Sequence, residues 1–167
     1  DHLVIAVGAS TDLSRIPGMA PHSFSFKTLG DAIALRSHLI GVLEKADVEE
    51  ETERKDRLLT FVVAGGGFSG VETAAELNDF VRAATREYRN LNPNEVRVIL
   101  LHMGDLILPE LGPELGGFAD KLLRRRKVEI RYGIRLEGAT AEAALLPDDE
   151  RIPTKTLVAT VPSGPHP

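Results

Sequence analysis

The chain has 167 residues, 43% of them hydrophobic and 27% charged, a formal net charge of −5 and no cysteine. That length buries a real core and points to one globular domain, and the acidic balance excludes a nucleic-acid footprint. Disulfides, thiolate metal sites and cysteine nucleophiles are excluded with the cysteines. The five histidines are scattered without metal-ligand spacing, and no apolar run approaches the ~18 residues of a spanning helix.

Leu3-Val4-Ile5-Ala6-Val7-Gly8 reads as an apolar strand ending at a glycine, as if the chain were cut from something larger. Residues 10–18 read as a loop closed by Ile16-Pro17-Gly18. Thr28 and Asp31 have the spacing of a capping box, and the helix they open places Leu35, Leu39 and Leu43 on one face. Almost every side chain at 44–57 is charged, which predicts a solvated helix end and a linker.

Residues 58–64 form an apolar run that reads as a buried strand. It leads into Gly65-Gly66-Gly67-Phe68-Ser69-Gly70-Val71-Glu72, a G-x-G-x-x-G at positions 65, 67 and 70. A segment of helical period follows, with Leu77, Val81, Ala84 and Tyr88 as its apolar stripe, and Pro93 closes it. Residues 96–101 complete a βαβ unit. In that setting Gly65 allows the tight strand-to-helix turn, Gly67 lets a pyrophosphate approach the backbone, and Gly70 lets helix and strand pack closely. The diphosphate then rests on the helix N-terminus, where unpaired N–H groups favour an anion. The competing reading is a glycine-rich turn that binds nothing. A P-loop is excluded, since no Gly-Lys-Ser/Thr follows.

Pro113 fits a first helical position, and Leu115, Phe118, Leu122 and Leu123 mark a helix whose basic end at 124–127 is solvated. Val128, Ile130 and Tyr132 alternate as a third strand. Short strands and turns occupy 133–153, with Pro147-Asp148-Asp149 as a hairpin tip. The apolar run 156–161 reads as a last strand. The first and last runs have no evident partner in the central unit, an arrangement expected of a domain inserted between two strands of another. The predicted class is α/β: a Rossmann-like parallel sheet with flanking helices and a small antiparallel element.

These segments together resemble the middle of a type II NADH dehydrogenase, the non-pumping NADH:quinone oxidoreductase of the FAD-dependent pyridine nucleotide-disulfide oxidoreductase superfamily. The glycine run with Glu72 and Glu76-Leu77 is the most specific match. Ile16-Pro17-Gly18-Met19, Lys27 to Ala32 and the segment His102-Met103-Gly104-Asp105-Leu106-Ile107-Leu108-Pro109-Glu110 are similar to the family's connecting loop, linker helix and post-strand segment. The resemblance implies a flavin-domain stub at 1–26, an NADH-binding domain at 27–153 and a strand returning to the flavin domain at 154–167. It implies NADH as ligand, with FAD and a quinone acting in the longer protein and no flavin or turnover in this stretch alone. It also implies peripheral attachment to the inner face of the cytoplasmic membrane through a C-terminal region outside these residues, and a possible homodimer.

Residue by residue, the resemblance assigns dinucleotide contacts to Gly65, Gly66, Gly67, Phe68, Ser69 and Gly70, and flavin proximity to Gly8. Glu72 corresponds to a glutamate beside the nicotinamide carboxamide and the flavin edge; its plain alternative is a first-turn carboxylate that stabilises the helix dipole. An acidic residue normally holds the adenosine ribose 2′-OH. The family's glutamate position holds His102, which either binds the ribose or caps the strand. Asp105 is a second candidate whose charge would repel a 2′-phosphate, which favours NADH over NADPH. Two other readings stand beside this one: a ferredoxin- or disulfide-type pyridine-nucleotide reductase, and a nucleotide-binding module with no reaction of its own. A sulfide:quinone oxidoreductase needs cysteines that are absent here.

Overall fold

The computed structural model describes residues 2–4, 9, 10, 12–160, 164 and 165. Leu3 and Val4 are exposed and outside any strand, and the rest of the expected first strand, Gly8 included, lies outside the described residues.

A five-stranded, all-parallel sheet organises the chain. Its order is β2 (Phe24–Ser25), β9 (Thr156–Ala159), β3 (Thr60–Ala64), β4 (Arg97–Leu101) and β5 (Val128–Arg131). The core strands are buried on both faces, which is why they read as continuous apolar runs with no alternation. Side chains divide by parity between two layers. Phe61, Val63, Val98, Leu100 and Val158 meet the helices, while Val62, Ala64, Ile99, Leu101, Leu157 and Ala159 meet an antiparallel layer.

The helical layer contains α2 (Leu29–Val48), α4 (Phe68–Ala84) and α5 (Gly112–Arg125), with a short α3 (Thr52–Leu58) beside α2. Thr28 caps α2 in a reciprocal box: its hydroxyl accepts from the Asp31 N–H at 3.1 Å, and Asp31 accepts from the Thr28 N–H at 2.8 Å. The stripe Leu35, Leu39, Leu43 is buried. On the opposite face of the sheet, β6 (Gly138–Ala139), β7 (Ala143–Leu145) and β8 (Arg151–Pro153) form the antiparallel sheet, joined at Met19 by the single-turn helix α1 (Met19–His22). The β7–β8 hairpin turns at Pro147-Asp148-Asp149. Both aspartates have positive φ (58° and 60°), the geometry of a type I′ turn. A further pair, β1 (Ala9–Ser10) and β10 (Gly164–Pro165), runs antiparallel and joins the two ends of the chain.

Three expectations change. The run 156–161 does have a partner in the central unit: β9 lies between β2 and β3, with Val62 opposite Leu157 and Val63 opposite Val158. Parallel pairing across nearly a hundred residues leaves no periodic mark in the sequence. The charged stretch 44–57 is mostly helical, because Glu, Lys and Arg are good helix formers and the charges can line the solvent side; only residues 49–51 connect α2 to α3. Finally, α4 ends at Ala84 and passes into a 3₁₀ turn at Thr85–Glu87, so Tyr88 follows the helix.

Helix α5 forms where expected, and of the four apolar residues that mark it only Leu123 is buried. It seats through Gly116, Ala119 and Leu123, and a Cβ added at Gly116 would lie 2.6 Å from the Ile107 carbonyl oxygen. Leu115, Phe118 and Leu122 stay 54%, 63% and 42% exposed. No helix of the described residues is long and apolar enough to cross a membrane.

Candidate functional site

The chain runs from β3 through α4 to β4 and through α5 to β5, then crosses back over the sheet to β9 on the other side of β3. Strand order therefore reverses between β3 and β9. In open α/β sheets ligands bind beyond the carboxyl ends of the strands at such a switch point. The glycine run sits there, at the end of β3.

Each glycine meets a different physical demand. Gly65 has φ of 121°, a backbone state that side chains disfavour, and its N–H donates to the Leu101 carbonyl at 2.9 Å. Gly70 is where α4 crosses the strand end: an added Cβ would fall 1.7 Å from the Gly65 carbonyl oxygen. Gly66 lies under the His102 ring, whose Cγ would be 2.5 Å from an added Cβ. Gly67 is the contrast. A Cβ there would meet nothing within 4 Å, so its missing side chain leaves open space on the surface of the loop.

Gly67 is also the N-cap of α4, and no side chain caps the helix there. The first-turn N–H groups, with the positive end of the helix dipole, are thus left for an anion. They face a cleft of about 690 Å³ lined by Ala64 to Ser69, Leu101 to Met103, Pro109, Glu110, Ile134 to Leu136, Ile16 and Thr160. A cleft of this size suits a cofactor, and its open side at Gly67 suits close approach of a diphosphate.

Several groups fix the loop. Thr160, just past β9, donates from its N–H and from its hydroxyl to the Ala64 carbonyl, both at 2.9 Å. Leu108 adopts a left-handed backbone (φ 52°) and donates its N–H to the Gly66 carbonyl at 2.8 Å. Such strain costs of order 1 kcal/mol and persists where the surroundings hold it. The His102 backbone is held by Arg131 and Ile134: its N–H donates to the Arg131 carbonyl at 2.9 Å and its carbonyl accepts from Ile134 at 3.1 Å. Its ring meets Tyr132 edge-on at 6.3 Å. Burial, with the acceptor Asp120 beside it, pushes the Tyr132 hydroxyl up to about 12, so it stays protonated and donates to Asp120 at 2.7 Å.

Gly65, Gly66, Gly67, Phe68, Ser69 and His102 thus share one cleft wall, with Gly70 packed behind the loop. Glu72 is exposed and lies just past the first turn of α4, which begins at Phe68 and carries no acidic residue, so the expected first-turn carboxylate is displaced by one position. Glu72 is not among the lining residues, and Asp105, also exposed, is not among them either. The sequence reading did not single out Thr160, Arg135 or Glu110. Thr160 had no usable signal, since it read as part of the last strand and only the parallel pairing of β9 with β3 places it at the edge where such sheets bind ligands. Arg135 had none, because a lone arginine between two apolar residues of a connecting segment is unremarkable.

The sequence model of the pyridine nucleotide-disulphide oxidoreductase family matches residues 1–166, and the chain belongs to that family. It is 36% identical over 132 residues to the type II NADH:quinone oxidoreductase NdhA of Mycobacterium tuberculosis, covering 78% of this chain and 28% of that protein. It is 35% identical over 169 residues to the external alternative NAD(P)H-ubiquinone oxidoreductase B3 of Arabidopsis thaliana mitochondria, covering 98% of this chain and 28% of the relative. The chain therefore spans little more than a quarter of either protein. NDH2 of Plasmodium falciparum, solved in complex with NADH, has the same fold at a TM-score of 0.86 and 20% identity, over 96% of this chain and 34% of that one. A ferredoxin reductase of Rhodopseudomonas palustris shares it at a TM-score of 0.69 and 21% identity, over 97% and 34%.

Proposed function

We propose that this pyridine nucleotide-disulphide oxidoreductase chain is the dinucleotide-binding domain of a type II NADH:quinone oxidoreductase, a flavoprotein that takes hydride from NADH and delivers electrons to a quinone. The observation that carries this is the uncapped α4 N-terminus behind the open Gly67 surface, at the switch point of a parallel sheet. The names of the relatives, which include NADH and quinone, support the reaction.

Residues 27–153 together with β9 form the binding domain, and the paired ends β1 and β10 are its connections to a flavin domain, Gly8 among the flavin contacts. The dinucleotide supplies hydride and the flavin accepts it; the protein binds and orients the two. First-turn N–H groups of α4 hold the diphosphate, and Gly67 leaves it room. One half of the dinucleotide extends over β4, beside His102 with Asp105 beyond it, and the other extends over β9 toward Thr160. Glu72 positions the nicotinamide against the flavin edge. The longer protein acts at the inner face of the cytoplasmic membrane, attached peripherally through its C-terminal region, as a homodimer.

Calorimetric titration of the purified chain with NADH is the first test: saturable binding at one site is expected, in a preparation free of flavin colour. The second is stopped-flow flavin reduction in the longer flavoprotein. Glu72→Gln should slow it at least about tenfold while lowering stability by no more than about 1 kcal/mol, the scale of a lost helix-dipole contact. Full-rate reduction would leave Glu72 as a helix-end carboxylate. Electron delivery to ferredoxin in place of quinone would move the chain to the ferredoxin-reductase branch.

A further inference from the structure

A Rossmann unit that takes the unphosphorylated dinucleotide presents an Asp or Glu to the adenosine ribose 2′-OH, whereas an arginine near the ribose accommodates a 2′-phosphate. The β3–α4–β4 unit fixes where that ribose falls. With the diphosphate on the α4 N-terminus, the adenosine half runs across the end of β4, the strand joined to β3 through α4. The residue there is His102, directly after Leu101. Its ring fills the space beside the loop: an added Cβ would lie 2.5 Å from its Cγ at Gly66 and 2.9 Å from its Nε2 at Gly104. No carboxylate occupies this position, and Asp105 is absent from the residues lining the cleft.

The same cleft receives an arginine. Arg135 lies on the segment after β5 that is tied to the His102 stretch, where Ile134 donates to the His102 carbonyl at 3.1 Å and Gly133 to the Gly104 carbonyl at 3.2 Å. It is exposed and makes no ion pair among the described residues, unlike Arg131 nearby, which forks onto Glu150 at 2.8 and 2.9 Å. Glu110 is the one carboxylate in the lining, on the turn that Leu108 fastens to the glycine loop.

From this juxtaposition we propose that the cleft takes the 2′-phosphorylated dinucleotide, NADPH, at least as well as NADH, with Arg135 as the phosphate's cation and His102 as its hydrogen-bond donor. The proposal rests on the dinucleotide reading above and names the ligand class more closely. A 2′-phosphate brings a charge of about −1.5 to −2 near neutral pH, which a fork-shaped guanidinium matches with two parallel donors. The nicotinamide end is identical in the two ligands, so the hydride step is unchanged by the choice.

The test is parallel calorimetric titration of the chain with NADPH, NADH and 2′,5′-ADP, repeated with Arg135→Ala and His102→Glu. NADPH should bind at least as tightly as NADH, and raised salt should weaken NADPH more than NADH. Arg135→Ala, at an exposed position, should keep the fold and weaken NADPH and 2′,5′-ADP by about tenfold more than it weakens NADH. His102→Glu should reverse the preference toward NADH. A wild-type chain that binds NADH at least about tenfold more tightly than NADPH, or an Arg135→Ala chain that loses both ligands equally, would overturn the proposal. Binding of neither dinucleotide would overturn the dinucleotide reading itself, and this proposal with it.

Discussion

The two edges of the parallel sheet use polar groups in opposite ways. At the carboxyl edge the loop is held from behind by Thr160 and Leu108, while the α4 N-terminus is left without a side-chain cap and Gly67 faces open space. At the amino edge backbone carbonyls are met by side chains. Arg82, on α4, donates to the carbonyls of Pro93, of Val96 at 3.0 Å and of Lys127 at 3.3 Å, and to the Asn78 side chain at 2.9 Å. The Thr154 hydroxyl donates to the Thr60 carbonyl at 2.5 Å and contacts the Thr156 carbonyl at 3.0 Å, and the Thr156 hydroxyl meets His38 Nε2 at 2.9 Å. Satisfied hydrogen bonds fix strand starts; groups left free at a held loop can bind a ligand. Stability and recognition are thus placed at opposite ends of the same strands.

The comparison predicts, first, that two glycines of one motif fail differently. Gly70→Ala forces a Cβ into the Gly65 carbonyl, and since backbone cannot yield as a side chain can, it should cost about 3 kcal/mol or more and abolish NADH binding through loss of the fold. Gly67→Val should leave the unfolding midpoint within a few degrees of wild type yet remove NADH binding, because its backbone is ordinary extended chain and its new side chain occupies only the open space. Chemical denaturation paired with calorimetry separates the two, and equal stability losses at both positions would erase the distinction.

Arg82→Met is the converse. Loss of its bonds leaves the partly buried Pro93 and Val96 carbonyls unpaired and should destabilise by about 1–3 kcal/mol, with NADH affinity of the folded fraction unchanged. A change in that affinity would mean that the two edges are coupled.

The smallest effect is at His38. Burial, and then the charge of Lys45, hold its imidazole below the ordinary 6.5, opposed by a backbone contact at Lys155, and the ring packs on Phe24 at 4.5 Å. Because the unfolded chain takes up the proton more readily, the stabilisation is complete above about 6.5 and is lost as pH falls below it toward the lower folded value. Thermal melts between pH 7.5 and 5 should show this decline, and His38→Gln should flatten it. An unchanged slope in the variant would assign the decline to other groups.

The sequence alone determined the features that depend on neighbours along the chain. The Thr28 box, the glycine turn, the Asp148-Asp149 hairpin tip and the helix over 112–125 follow from turn chemistry, capping and period, all of which act within a few residues. The tertiary structure alone decided what depends on residues far apart. It placed β9 between β2 and β3, which put Thr160 against the glycine loop; it turned Gly116 and Leu123 of α5 inward and left Leu115 and Phe118 outside. It brought Arg135 to the cleft of His102 through two backbone hydrogen bonds. Parallel strand pairing and the choice of a helix's buried face are settled by packing partners, and packing partners leave no local pattern to read.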